Sequence, residues 1–159
     1  MSHWIKGYYQ QHARLEKIGL ALKDSLTQTY SSPSKAMSGA LNDQSYLRIL
    51  SLIAELVALI RLHLLLEDHV LYPALTESKD QGIAKKANDF QAEMGGLSSV
   101  VLAFAGRWSS TNEILEHEKE FRNEAEAVLA ALFDRLYREN KELYPLIYSV
   151  SDDKDGVAV

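Results

Sequence analysis

The 159-residue chain contains no cysteine. That excludes a disulfide framework, a thiolate metal site and a cysteine-held iron–sulfur cluster. It also has no excess of positive charge: the formal net charge is −5, which argues against a nucleic-acid partner. The N-terminal run Met-Ser-His-Trp-Ile-Lys-Gly-Tyr-Tyr lacks a basic region followed by an apolar one, so no signal peptide is expected. The richest apolar stretch, Leu56 to Leu66, is short and interrupted by Arg61 and His63, and no membrane span is expected from it. A cytoplasmic location is the corresponding expectation. There is no strand signal, no low-complexity tract, no Gly-rich phosphate loop, no Gly-x-Ser-x-Gly elbow and no zinc-protease helix. No catalytic residue is assigned, and turnover is not the expected mode of action.

A hydrophobic fraction of 47% and a charged fraction of 25% are those of an ordinary globular domain, and the length suits a single one. Residues 1–150 are read as that domain, and 151–159, which include Ser151-Asp-Asp-Lys-Asp-Gly, as a flexible tail. Four segments carry apolar residues at the helical period. The first spans about Ser2 to Tyr30 and ends at Ser-Ser-Pro33-Ser. A linker follows, with Gly39 and with Asn42-Asp43 as the next N-cap. The second helix runs to about Thr76 on the stripe Ile49, Ile53, Leu56, Ile60, His63, Glu67, Val70, Ala74, with Pro73 expected to kink or end it. The third begins after Gly82 and continues to Trp108 through Met94. The fourth runs to about Tyr148 on the stripe Phe121, Ala125, Val128, Leu132, Arg135, Glu139, Leu146. Four such helices predict an all-α, antiparallel, up-down-up-down four-helix bundle.

Within the second helix lies His63-Leu-Leu-Leu-Glu67-Asp-His-Val-Leu71-Tyr72-Pro73. It recurs 72 residues later as Arg135-Leu-Tyr-Arg-Glu139-Asn-Lys-Glu-Leu143-Tyr144-Pro145. A fainter repeat pairs Gln11-His12-Ala-Arg-Leu15 with Glu93-Met94-Gly-Gly-Leu97, so the chain reads as two related helix pairs. His63 and Glu67, four residues apart, share a helix face and could grip one metal ion. Arg135 and Glu139 share that geometry, but a guanidinium stays protonated and is no ligand.

His12, His63, Glu67, Arg135 and Glu139 all fall on core stripes at positions that the bundle topology brings together. Unpaired burial would cost each charge several kcal/mol, so they must satisfy one another or hold something. With neutral histidines the group sums to −1. In the metal-free arrangement Arg135 forks across Glu67 and Glu139 while His12 and His63 complete the network. The alternative is a cation held by the first half of the chain. His69 points away from the core, and His117 is too far from Arg135 to join. Gly95-Gly96 reads either as a close helix approach, the favoured reading, or as a pocket beside Met94. Tyr72 and Tyr144 are expected to pack at the bundle end with their hydroxyls reaching solvent or a partner. The Glu-rich run from Glu113 to Glu126 is expected to be a solvated face.

These residues resemble the hemerythrin-like (HHE cation-binding) family over most of the chain, from about His12 to Pro145. The block from His63 to Pro73 is the specific part. The resemblance implies a four-helix bundle holding a non-haem iron pair, used to bind oxygen, to sense oxygen or redox state, or to handle iron. It carries ligand roles onto His12, His63, Glu67 and Glu139. Met94 and Arg135 stand where the family's helix-three and helix-four histidines belong, so the implied site is degenerate, with iron in mononuclear or dinuclear form, or no metal at all. The expected role is regulatory, sensory or protein-interacting, through a protein partner or self-association; the alternative is a cation-binding protein for oxygen or iron.

Overall fold

A computed structural model describes residues 3–30, 39–94 and 96–148. The expected tail at 151–159 lies outside them. Among the described residues the chain is helical without strands, in the order α1 His3–Tyr30, α2 Gly39–Leu66, a π-helical turn Glu67–Leu71, α3 Tyr72–Thr76, α4 Gln81–Met94, α5 Leu97–Arg107, α6 Thr111–Glu116, α7 Glu118–Arg138, a second π-helical turn Glu139–Leu143 and α8 over 144–148. These pieces form four rods: α1; α2 with its π-turn and α3; α4 with α5; and α6 with α7, its π-turn and α8. Rod one packs on rods two and four, and α5 packs on both α2 and α7, which closes a helical bundle.

Three expectations about boundaries are corrected. Helix two begins at Gly39, so Asn42 and Asp43 lie inside its first turns rather than capping it. Helix three is described in two pieces, α4 ending at Met94 and α5 starting at Leu97, on either side of a glycine pair whose residues each cost about 1 kcal/mol in a helix interior. A Cβ added at Gly96 would meet no atom within 4 Å, so the expected close approach fails there; Gly95 lies outside the described residues. A close approach does occur at Gly19, where the Phe133 ring of α7 comes within 2.8 Å of where a Cβ would sit. The fourth rod is also split, with Ser110 accepting a 3.2 Å bond from the Glu113 amide at the start of α6 and His117 at the α6–α7 junction.

The prolines act by a route the helical period does not reveal. Neither Pro73 nor Pro145 can donate to the preceding turn. In both rods the helix loosens by one residue just before the proline. The amide of Tyr72 bonds the carbonyl of Glu67, and the amide of Tyr144 bonds that of Glu139, five residues back in each case. The extra residue moves the buried stripe by one. Leu71 and Leu75 are inside where Val70 and Ala74 were expected, and Leu143 and Ile147 are inside where Leu146 was expected.

α2 is more apolar than the Leu56–Leu66 stretch suggests. The continuous helical span Gln44–Thr76 is long and apolar enough to cross a membrane by length and composition alone, with a mean hydropathy of 2.2 in its richest window. Its inner stripe, Tyr46, Ile49, Ile53, Leu56 and Ile60, is buried in the bundle.

The core is two apolar clusters with a polar layer between them. The larger contains Leu15, Leu22, Ile53, Ile60, Trp108, Phe121 and Leu132; the smaller contains Ile5, Tyr8, Leu71, Leu75, Phe90, Leu143 and Tyr144. His12 follows Tyr8 and precedes Leu15, His63 follows Ile60 and precedes Leu71, and Arg135 follows Leu132 and precedes Leu143. Each polar residue therefore steps from one cluster to the next. The smaller cluster seals the layer beneath the bundle end.

Candidate metal centre

Five side chains expected on core stripes converge in this layer, all at most 4% exposed, with Glu67 and Glu139 at 0%. α1 brings His12, the last turn of α2 brings His63, and α7 brings Arg135. Each glutamate opens a π-turn. The Arg135 fork is formed: Nε donates to Glu139 Oε1 at 2.6 Å and an Nη to Glu67 Oε2 at 2.8 Å. One oxygen of each carboxylate is thereby committed to the guanidinium. The other oxygens, Glu67 Oε1 and Glu139 Oε2, face the histidines.

Both imidazoles are oriented from behind by carboxamides. His12 Nδ1 lies 2.8 Å from Asn140 Oδ1, and His63 Nδ1 lies 3.1 Å from Gln11 Oε1. A carboxamide oxygen only accepts, so each Nδ1 carries the hydrogen. Neutral rings then point two Nε2 lone pairs inward, and those nitrogens are 3.2 Å apart. His12 Nε2 is 3.2 Å from Glu139 Oε2, and His63 Nε2 is 3.4 Å from Glu67 Oε1 and 3.8 Å from Glu139 Oε2. Glu139 Oε2 is buried without a hydrogen-bond donor. One ligand atom from each of His12, His63, Glu67 and Glu139 lies within 4.8 Å of all the others.

This is a set of acceptors facing one another in a buried layer, and it is unstable without a positive charge at its middle. Two carboxylates and one guanidinium leave −1. Burial first, and then the charge of Glu139, push the Glu67 carboxyl up. Burial acts upward on Glu139 too, but the Arg135 guanidinium, together with His12 and His63 when either carries a hydrogen at Nε2, outweighs it and holds this carboxyl below its ordinary range. Burial works against the charge on Arg135, yet the two glutamates hold its pKa above the usual guanidinium value. The pair therefore keeps at least one full carboxylate. A proton within the layer, for which the raised Glu67 carboxyl is one place, or a metal cation would supply the missing charge.

A further side chain belongs to the layer. Tyr144 was expected to reach solvent or a partner, but it is fully buried. Its hydroxyl is 2.6 Å from His12 Nε2 and 3.1 Å from Glu67 Oε1. The π-turn is the reason, since it carries residue 144 inward behind Glu139. Burial, followed by the charges of Glu67 and Glu139, holds this phenol protonated far above its ordinary range. Tyr8 donates to the Leu66 carbonyl at 2.9 Å and rests against Tyr144 with ring centroids 5.6 Å apart. Burial and Glu67 push its pKa up to about 12. Tyr72 was also expected to reach out; it is 3% exposed, and its hydroxyl has no hydrogen-bond partner. A small cavity of about 70 Å³ is lined by Tyr72, Arg135, Asp68, Leu64, Gln91 and Ser98, the last two on either side of the helix-three break.

Met94 closes α4, and its side chain lies outside the described residues. His69 is exposed and contacts the Leu65 carbonyl at 3.0 Å, and His117 is 47% exposed and pairs weakly with Glu120. Neither approaches the layer. The acidic run is a surface face: Arg122 pairs with Glu126, and Arg107 clamps Glu120 and Glu124.

The residues do not fit two metal ions. The carboxylate oxygens that would reach a second ion are taken by Arg135, which cannot ligate. They do fit one: two lone pairs with fixed tautomers, one orphaned carboxylate oxygen and one more beside it, with oriented imidazoles of the kind metal sites use.

The sequence model described as the hemerythrin HHE cation binding domain matches residues 5–147. No curated protein and no solved structure matches the chain significantly. The match spans nearly the whole chain, and the chain belongs to the hemerythrin HHE family.

Proposed function

We propose that this member of the hemerythrin family is a regulatory or sensory domain built around a single cation, with Arg135 permanently filling the place of a second. The observation that carries the reading is the division of each carboxylate: one oxygen on the guanidinium, the other facing His12 and His63. A fixed charge there removes the paired-metal chemistry the family resemblance implies. Two imidazole nitrogens and two carboxylate oxygens suit a first-row divalent transition ion, with iron the first candidate by family. When bound, such an ion supplies the missing positive charge and cross-links rods one, two and four.

Four protein ligands under a lid of Tyr144 and the smaller apolar cluster make a closed site of the structural kind rather than one with an open coordination position. Occupancy then reports on ion availability through the stability of this end of the bundle. The test is metal content by mass spectrometry after anaerobic loading with Fe(II), Mn(II) or Zn(II). About one ion per chain, lost in His63→Ala, is expected. Two per chain would overturn the reading. None, with a network that persists on a shared proton, would leave Arg135 as the only resident cation and overturn the cation-sensing role.

A further inference from the structure

Among the described residues, the helical span Gln44–Thr76, long and apolar enough to cross a membrane, is also poorly covered: only 28% of its apolar window is buried. Opposite its core stripe, Leu62 is 50% exposed and Leu65 54%, and Val70 beyond them is 46% exposed. Val70 and Leu66 also line an apolar cleft of about 250 Å³ with Gly7, Tyr8 and Gln11 of α1. Along the other edge of the same face stand Arg61 and Asp68, both exposed, of opposite sign and seven residues apart. Neither joins an ion pair among the described residues. A contiguous exposed apolar patch with a charged rim marks an interaction site.

We propose that this face of α2 binds a second copy of the chain in an antiparallel, two-fold dimer. Two helices related by a two-fold axis perpendicular to them meet edge to like edge, and each level of one faces the mirrored level of the other. With the axis midway between positions 61 and 68, Arg61 of each copy meets Asp68 of the other, forming two identical pairs about 10 Å apart along the helix. That register brings Leu65 of the two copies together near the axis. It sets Leu62 of each copy at the level of residue 67 of the other, at the mouth of the cleft beside Leu66 and Val70. The leucine side chains thus have a receptor, and the charges have partners, from one operation. A parallel arrangement would set Arg61 level with Arg61 and Asp68 level with Asp68, so the charges also select orientation. A lipid surface would cover the leucines but would strand the same two charges against hydrocarbon, which is why the second copy is the better occupant.

The inference does not rest on the cation reading, and its test needs no metal. Sedimentation velocity in chelator across a micromolar concentration series should show a rise from the 17.9 kDa chain mass towards twice that value. Leu62→Glu and Arg61→Asp should each abolish the rise while leaving the helical circular dichroism signal intact. Arg61→Asp combined with Asp68→Arg should restore it. Mixing the two single variants Arg61→Asp and Asp68→Arg should produce heterodimers, since the charges then complement across both pairs. A chain that stays monomeric throughout overturns the proposal. So does a dimer indifferent to Leu62→Glu, a charge reversal not rescued by its complement, or co-sedimentation with phosphatidylcholine vesicles that Leu62→Glu removes.

Discussion

Arg135→Ala is the most informative single change. The guanidinium makes two charge-assisted bonds, at 2.6 and 2.8 Å, to carboxylates with no solvent exposure. Removing one side of a buried ion pair costs about 3–5 kcal/mol, because the remaining charges stay desolvated. Here two carboxylates are stranded together, and proton uptake by Glu67, already pushed up by burial and by Glu139, caps the loss. The expected destabilisation in chelator is therefore about 3–5 kcal/mol, a fall in Tm of roughly 6–20 °C for a chain of this size. Thermal denaturation by circular dichroism measures it. Arg135→Lys keeps the charge but not the fork and should fall between the two. In Arg135→His the outer carboxylate oxygens are freed and an imidazole joins them as a metal ligand, so Fe(II) or Mn(II) should stabilise that variant more than the unaltered chain and raise its ion content towards two. An Arg135→Ala protein melting with the unaltered one in chelator would refute the claim that the guanidinium holds the layer together.

Four other outcomes follow from the geometry. Gln11→Leu and Asn140→Leu release the Nδ1 hydrogens of His63 and His12, so each should weaken divalent-ion affinity about 10–100-fold in a competitive chelator titration. Tyr144→Phe removes the hydroxyl shared by His12 and Glu67 and should cost about 1–2 kcal/mol in urea denaturation. In alkali, Tyr8 in the folded state keeps its proton to about pH 12 whereas the unfolded chain releases it near 10, so stability should fall across that interval, less steeply in Tyr8→Phe. At Gly106, inside α5, a Cβ meets no atom within 4 Å; Gly106→Ala should raise Tm, gaining up to about 1 kcal/mol of helix propensity.

The helical period alone placed His12, His63, Glu67, Arg135 and Glu139 on inward stripes, and the topology placed those stripes together. That much was legible because burial of a charged residue on a regular stripe is conspicuous. The period failed wherever the helix departed from it. Both π-turns insert a residue, so Val70, Ala74 and Leu146 were assigned inward, and Leu71, Leu75, Leu143 and Ile147 took their places. Tyr144 was missed for the same reason. The signal was present as Leu-Tyr-Pro beginning four residues after each glutamate, but it was read as a kink or the end of a helix rather than as a loosened turn. Gln11 and Asn140 each sit one residue along the chain from a site residue, His12 and Glu139. Nothing in their type separates an amide that orients a histidine from one in solvent. Gly95-Gly96 marks where the third rod is divided; at Gly96 the expected close packing is absent, and Gly95 lies outside the described residues.

The two halves of the chain spend the same architecture differently. Each places a glutamate at the start of a π-turn and a tyrosine–proline pair at its end. The first half puts a histidine one turn before the glutamate, and the second puts an arginine there. Arg135 and a metal ion satisfy the carboxylates through the same kind of contact, positive charge against oxygen. They differ in reversibility: the guanidinium is covalently attached and always charged, whereas an ion comes and goes with its concentration. On the proposed reading, one side of the layer is therefore locked and the other is conditional. A protein with both sides conditional would lose both charges when stripped of metal and leave two bare carboxylates in its core. With Arg135 in place, the fork to Glu67 and Glu139 does not depend on an ion. On the proposed single-cation reading, that ion-independent fork is what would let the domain keep its fold both with and without an ion.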